Sequence, residues 1–268
     1  MAAGSIRITR NYMLKSIWAA RWYVLLGFVA FLITLLLTTP LHFVWRFLAP
    51  ELSALPVHVQ QVSGTLWQGR IQLQIIQLRE LGVLDTRWEL SPWALLAGRA
   101  DLRLQIDSPD LRLQLPLQIG LNKVLHIDGA DGYFDLRPLA PMLQRQRTKA
   151  EGNVQLNRLL AEVDLNTGVF NQLAGQLVYS GGAVTLLVDN KPVNATLPVL
   201  LGQLGREPER AALDLTTESG ETLLRGYLQP DGWAGLALRR RFLDVIGQPW
   251  PVQAEADSVI FEVSQKVL

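Results

Sequence analysis

The sequence predicts a mainly β protein, in which one N-terminal transmembrane helix is followed by an elongated, twisted antiparallel β-sheet domain with a few short helices. Two observations predict this fold class. A charge-free apolar run occupies residues 22–41, and beyond it apolar positions recur with a period of two rather than 3.6. The 268-residue chain is 49% apolar, which excludes wholesale disorder.

The apolar run has the length of a membrane-spanning helix. Its roughly 20 residues, rising about 1.5 Å each, would cross a hydrocarbon core of about 30 Å. Trp22 and Tyr23 at one side and Trp45 at the other are typical of the aromatic belts at the two membrane interfaces. A cleaved signal peptide would have a shorter apolar core and a small-x-small cleavage site. A buried core helix so uniformly apolar is rare in a protein of this size, so we expect an uncleaved anchor.

Charge is distributed unequally about this run. All 24 acidic residues lie at Glu51 or later, and four basic residues without an acid precede the run. This asymmetry favours a cytoplasmic N-terminus, and in a bacterium it predicts a single-pass inner-membrane protein whose main domain is periplasmic. The predicted regions are a cytoplasmic basic N-terminus at 1–21, a transmembrane anchor at 22–41, a juxtamembrane connector at 42–56 and a periplasmic β-rich domain at 57–268.

Strict alternation of apolar and polar side chains predicts antiparallel strands with one buried face. Residues 102–106 read Leu-Arg-Leu-Gln-Ile, and residues 111–119 continue the alternation after a Pro-containing turn at 107–110. Pro116 removes one backbone donor, which favours an edge strand or a bulge at that point.

We expect helices to be few and short. The candidates are residues 92–97, 138–147, 197–204 and 239–246. The first has Ser91 as its N-cap and Gly98 as its stop. The glycines of 179–183 predict a hairpin turn. The polar segment 144–152 is either a loop within one elongated domain or a domain boundary, and the similar sequence texture on its two sides favours the loop.

The sequence offers little for catalysis. It has no cysteine, and its three histidines, His42, His58 and His126, lack metal-ligand spacing. Neither a Gly-x-Ser-x-Gly elbow nor a Gly-rich phosphate loop is present. We therefore expect no metal, no cofactor and no enzymatic activity. The acidic balance after residue 50 argues against nucleic acid as a partner.

Two kinds of segment are candidate contact surfaces. An exposed strand edge offers unpaired N–H and C=O groups to a partner. The candidate edge residues are Leu111, Leu113, Leu115, Val259 and Phe261. The basic triplet at 239–241 would either meet lipid headgroups or an acidic partner, or form a water-exposed helix start.

A distinctive motif follows the anchor. In the pattern G-x-L-W-x-G and then W-x-L-x-P-x-x-L-L-x-G, the positions are Gly64, Leu66, Trp67, Gly69, Trp88, Leu90, Pro92, Leu95, Leu96 and Gly98. The glycines allow a tight or bulged backbone at a strand entry, and Trp67 covers the adjacent core. The motif resembles that of the type II secretion system protein N family, in which it also follows a single N-terminal anchor.

This resemblance implies an accessory, inner-membrane-anchored component of the apparatus that exports folded proteins across the outer membrane, with a structural or scaffolding role. Its implied partners are the inner-membrane platform proteins of type II secretion, especially the anchored periplasmic protein C, and the outer-membrane secretin. The chain also resembles, more loosely, the AsmA-like anchored β proteins, whose grooves are associated with lipid transport. Binding or transfer of membrane lipid is therefore the alternative function. Sequence alone leaves open whether the apolar side chains face a closed core or a groove.

Overall fold

The computed structural model describes residues 22–31, 34, 38, 40–41, 56–145, 147–188, 191–208, 210–249 and 255–266. The predicted cytoplasmic segment 1–21 and nearly all of the predicted connector lie outside the described residues. Residues 22–31 are helical, and so is part of the remaining predicted anchor that is described. Among the described residues, no helix combines the length and the apolar character that crossing a membrane requires.

The described residues form sixteen strands. They are β1 (Val57–Gly64), β2 (Gln68–Ile75), β3 (Leu84–Leu90), β4 (Arg99–Asp107), β5 (Leu111–Gly120), β6 (Val124–Asp135), β7 (Lys149–Ala150), β8 (Asn153–Asp164), β9 (Phe170–Tyr179), β10 (Gly182–Val188), β11 (Lys191–Leu197), β12 (Leu200–Glu207), β13 (Arg210–Thr217), β14 (Thr222–Leu228), β15 (Trp233–Arg239) and β16 (Val259–Lys266). Thirteen of them make one antiparallel sheet in the order β1-β2-β3-β4-β5-β6-β8-β9-β12-β13-β14-β15-β16. The prediction of a mainly β fold with a large antiparallel sheet is confirmed.

The remaining strands form a small sheet in the order β11-β10-β7. Gly181 and Gly182 have positive φ, but the predicted hairpin turn is wrong, because the chain does not reverse there. The β8–β9 pairing at Val154 and Tyr179 continues as the β7–β10 pairing at Ala150 and Val184, so β10 runs on in the direction of β9. Glycine content permits a tight turn at this point, but pairing with the neighbouring strands on both sides keeps the chain extended. The main sheet nevertheless continues across the 144–152 segment, since β6 pairs directly with β8.

Short helices occupy the connections between strands. They are α1 (Pro92–Leu96), α2 (Ala140–Arg145) and α3 (Arg240–Val245), with 3-10 helices at Ile76–Leu81 and Arg137–Leu139. In α1 the Ser91 hydroxyl accepts a hydrogen bond from the Ala94 amide at 3.4 Å, and Gly98, with φ of +75°, follows the helix end as predicted. The predicted helix at 197–204 is wrong. Its residues belong largely to β12, which pairs along its length with β9 and β13, and this pairing overrides local helix propensity.

The antiparallel order gives the main sheet two ends. The α1 end contains α1 and the turns at 64–68, 120–124, 164–170, 207–210 and 228–233, whereas the α2 end contains α2, α3, both 3-10 helices and the small sheet.

The main sheet is curved, as the native twist of strands promotes. The 3-10 helix Ile76–Leu81 follows β2, and the 3-10 helix Arg137–Leu139 follows β6. These two helices contact each other at the α2 end, although three strands lie between β2 and β6 in the sheet. At the α1 end Gly168 approaches Pro230 so closely that a Cβ on the glycine would lie 2.7 Å from the Pro230 carbonyl oxygen. These two turns belong to the β8–β9 and β14–β15 connections, so the sheet curls enough to bring distant strand ends together.

Candidate functional site

The main sheet has one continuous apolar face. Residues directly paired across antiparallel strands share a face, so the register defines a row that crosses all thirteen strands. The row is Val62, Ile71, Thr86, Ile106, Leu113, Gly132, Leu156, Leu177, Gly202, Leu215, Leu224, Leu238 and Phe261. Every member is apolar apart from one threonine. The neighbouring row on the opposite face is polar, as in Arg87, Gln105 and Gln114.

The side chains of this apolar row are neither fully buried nor fully exposed to solvent. Gly202 is buried and Phe261 is exposed, while the other eleven members are half-buried. At Gly202 a Cβ would lie 2.8 Å from the Cβ of Leu177 and 3.1 Å from Leu215, so the glycine lets the flanking leucines close over it. The curved sheet therefore carries a long apolar surface whose side chains keep part of their area accessible.

The sheet ends in two edge strands, β1 and β16. On β16, Val259, Phe261 and Val263 expose 53%, 55% and 47% of their area, so this predicted edge lies at the border of the sheet. No other described strand pairs with its outer border, which therefore offers backbone N–H and C=O groups together with apolar side chains, the features that β-augmentation uses.

The other predicted edge is wrong. The strand that contains Leu111, Leu113 and Leu115 is β5, and β5 pairs with β4 on one side and β6 on the other. Pro116 lies at a register shift between Gln114 and Leu117 in the β5–β6 pairing, the kind of irregularity at which a strand accommodates a proline. The bulge interpretation of this proline is the correct one.

The residues of the sequence motif, 64–69 and 88–98, lie together at the α1 end, and we call this group the motif node. The Trp88 ring lies over Gly69, its cross-strand partner, so closely that any Cβ at position 69 would overlap the indole. The indole N–H of Trp88 donates to the Leu66 carbonyl at 3.0 Å, and the Leu90 amide donates to the Trp67 carbonyl at 2.6 Å. The two parts of the motif are therefore in contact, because the turn before β2 is hydrogen-bonded to the end of β3.

The remaining motif residues complete the same node. Gly64 has φ of +93°, and a Cβ there would collide with the Gln68 carbonyl. Pro92 occupies the first turn of α1, where its missing N–H costs nothing. At Gly98 a Cβ would lie 2.8 Å from the Leu121 side chain, so the glycine also makes room for the β5–β6 turn.

The N-terminal segment reaches this node. Pro40 forms an isolated β-bridge with Thr65, and Leu41 is only 2% exposed. By contrast, the helical residues 22–31 expose their large apolar side chains, among them Trp22 at 67% and Phe31 at 61%. Pro40 therefore lies at the α1 end of the sheet, whereas the described helical stretch 22–31 is left uncovered.

The polar face is organised by ion pairs that the sequence did not reveal. Arg70 and Arg87 lie directly opposite each other on β2 and β3, an unfavourable pairing of like charges. The Asp85 carboxylate accepts hydrogen bonds from both arginines, and the one from Arg87 is 2.7 Å long. The hydrogen bond from Arg70 is the main reason that the pKa of Asp85 lies below its ordinary value.

The basic triplet is paired within the chain. Arg239 and Arg241 both contact Asp257, at 3.3 and 2.9 Å, and Arg240 contacts Asp244 at 3.3 Å. Arg241 also pairs with Glu221. These acids come from the turn before β14, from α3 and from the segment before β16. The triplet therefore ties β16 to α3 and β14, and its side chains are partly buried at the start of α3.

The histidines and acidic residues of the described chain do not cluster as metal ligands do. No group of three histidine or acidic residues in it could hold a metal ion. His126 instead lies 3.4 Å from Glu162 across the β6–β8 pair, on the polar face.

Comparison with known proteins decides the family. The model of the family described as type II secretion system (T2SS), protein N, matches residues 56–241, which is more than half of the chain. The chain belongs to this family. The match covers the motif node and most of the main sheet, and family membership implies association with other components of type II secretion. Protein N is an accessory secretion component and not a known enzyme family. No curated protein and no solved structure matches the chain significantly.

Proposed function

We propose that this protein N is anchored in the bacterial inner membrane as a single-pass protein and scaffolds the secretion apparatus from the periplasmic side. The open edge of β16 carries the proposal. A long sheet that ends in an exposed strand with three accessible apolar side chains can extend itself by pairing with a strand of another protein. The partners proposed for this edge are the anchored periplasmic protein C of type II secretion and other inner-membrane platform proteins, with the outer-membrane secretin beyond them.

Site-specific photocrosslinking in native membranes tests the docking edge. A photoreactive residue at Phe261 should crosslink to protein C, another platform protein or the secretin, because this side chain sits on the open border. The control probe replaces Arg103, whose side chain is 84% exposed on an inner strand. Equal crosslinking from both positions, or none from Phe261, would remove β16 as the docking edge.

A substitution pair gives a second readout. Phe261→Lys places a charge on the strand edge, a device by which proteins prevent edge pairing, and it should reduce co-purification of the partner proteins. Met142→Lys on α2 makes the same change at a residue of similar exposure away from the edge. Unchanged co-purification with both variants would count against the scaffold.

The half-buried apolar row favours a second candidate function, binding of membrane lipid along the sheet. Native mass spectrometry of the full chain after mild detergent exchange should then detect bound lipid. Leu113→Gln on the apolar face should lower lipid occupancy, and Gln114→Leu on the polar face should leave it unchanged. Lipid-free protein in all three forms would rule out this candidate.

A further inference from the structure

The α1 end of the sheet carries the most exposed apolar side chains of the described β domain. Within residues 56–249, the three most exposed large apolar residues are Leu121 at 86%, Leu96 at 80% and Trp93 at 76%. All three lie at the α1 end, and Leu165 in the 164–170 turn adds 50% exposure beside them. Exposed apolar residues gathered at one place on a domain mark a contact surface rather than the normal scatter of single residues.

The connections that carry these side chains adjoin one another. Leu121 packs beside Gly98, directly after α1, which carries Trp93 and Leu96. The Leu165 amide donates to the Lys123 carbonyl at 2.9 Å, which joins the 120–124 and 164–170 turns. We name Trp93, Leu96, Leu121 and Leu165 the apolar tip. It spans three successive connections, from the end of β3 to the start of β9.

The apolar tip lies at the same end of the sheet as Pro40, which follows the apolar helical stretch 22–31 in the sequence. Pro40 is bridged to Thr65 in the β1–β2 turn, and the Leu90 amide bonds the Trp67 carbonyl just before α1 begins. Pro40 is therefore held at the β1–β2 turn, which is the neighbour of the β3–β4 connection that carries Trp93 and Leu96. It follows residue 31, the last of the uncovered helical stretch 22–31, by nine positions. A helix embedded in a bilayer and ending there would hold the α1 end against the membrane surface.

We propose that the apolar tip inserts into the interfacial layer of the bilayer, so that the sheet stands on the membrane by its α1 end. The proposal rests on the membrane attachment proposed above. Trp93 suits this layer because its amphipathic ring prefers the headgroup level. Leu96 and Leu121 would bury area that the domain leaves in water. The exposed Lys123, two residues after Leu121, can extend its ammonium to the headgroups. The α2 end would then lie roughly 30 Å from the surface, the length of a strand of nine or ten residues.

The consequence is an orientation for the apolar row. With the α1 end on the membrane, the strands run away from the bilayer, and both β16 and the apolar face project from the surface rather than lying along it. A partner or a lipid would meet the sheet along a path that starts at the tip.

Depth-dependent quenching in liposomes tests the proposal with the full chain. The chain contains no cysteine, so single labels are introduced as Leu121→Cys at the tip and Ser219→Cys in the β13–β14 turn of the α2 end. Phe28→Cys in the N-terminal helix reports on the attachment itself. The label is an environment-sensitive fluorophore, and the quencher is a headgroup-nitroxide phospholipid in vesicles of phosphatidylethanolamine and phosphatidylglycerol.

Quenching at Leu121→Cys several-fold stronger than at Ser219→Cys is the expected result. Equal, weak quenching at these two positions, with Phe28→Cys in the lipid, would overturn the tip contact while leaving the anchor in place. A Phe28→Cys label that stays in water would overturn the membrane attachment and the tip contact together. As a second measurement, a label at Asn166→Cys should lose quenching when Trp93, Leu96 and Leu121 are all changed to serine. Retained quenching in that variant would show that the tip side chains do not make the contact.

Discussion

Replacing Trp88 by alanine should destabilise the domain, because this side chain joins the two halves of the sequence motif. Removal of a fully buried tryptophan costs about 3–5 kcal/mol, and the Trp88 ring is half-buried, so its packing against Gly69 contributes about 2 kcal/mol. The hydrogen bond from its indole N–H to the Leu66 carbonyl, at 3.0 Å, adds about 1 kcal/mol. The expected loss is about 3 kcal/mol, which for a domain of this size lowers the melting temperature by about 6–12 °C.

The measurement is thermal melting of the detergent-solubilised full chain, followed by circular dichroism in the β-sheet band. Trp88→Phe keeps an aromatic ring over the glycine and loses the hydrogen bond, so its loss should be about 1–2 kcal/mol. Trp93→Ala is the matched control, since it removes the same side chain from a position that is 76% exposed, and its effect should stay within about 0.5 kcal/mol.

The ordering of these three variants is the critical result. If Trp88→Ala melted like Trp93→Ala, the contacts of Trp88 would contribute nothing to stability, and the structural role assigned to the motif would be refuted. A Trp88→Phe variant as unstable as Trp88→Ala would assign the whole effect to the hydrogen bond instead of the ring.

Three further outcomes are expected. Gly69→Ala should cost about 1–3 kcal/mol by overpacking against the indole, whereas Gly205→Ala, with open space around its Cα, should melt like the parent. Asp85→Asn should lower the melting temperature at neutral pH, because the two arginines it bridges would face each other uncompensated. The Asp85 pKa is depressed in the folded state mainly by the Arg70 hydrogen bond, so its contribution is complete above the ordinary value of about 3.9 and is lost as the pH falls through the folded-state pKa. Melting curves of both forms should therefore converge on acidification. Ser91→Ala should cost about 0.5–1 kcal/mol by removing the N-cap of α1, measured in the same assay.

Local patterns in the sequence determined the type of most elements. Alternation between apolar and polar side chains sets which face each strand buries, and this depends only on the two-residue period of the backbone. The cap and stop of α1 follow equally from Ser91 and Gly98, because a side-chain oxygen and a positive φ act within one turn. The family, too, was readable from the spacing of glycines and tryptophans around residues 64–98.

Partner choice between strands was decided by tertiary structure alone. Nothing local distinguishes β5, an inner strand with a bulge at Pro116, from an edge strand with a proline, and the sequence interpretation of Leu111 and Leu113 as an edge failed for that reason. The same holds for residues 200–207, where pairing with β9 and β13 outweighed helix propensity. The polar-face bridge at Asp85 also required the register, because Arg70 and Arg87 are far apart in sequence and meet only when β2 pairs with β3. Side-chain period and capping are properties of a few consecutive residues, whereas strand order, the continuous apolar row and the apolar tip arise from contacts between segments that the chain brings together only when it folds.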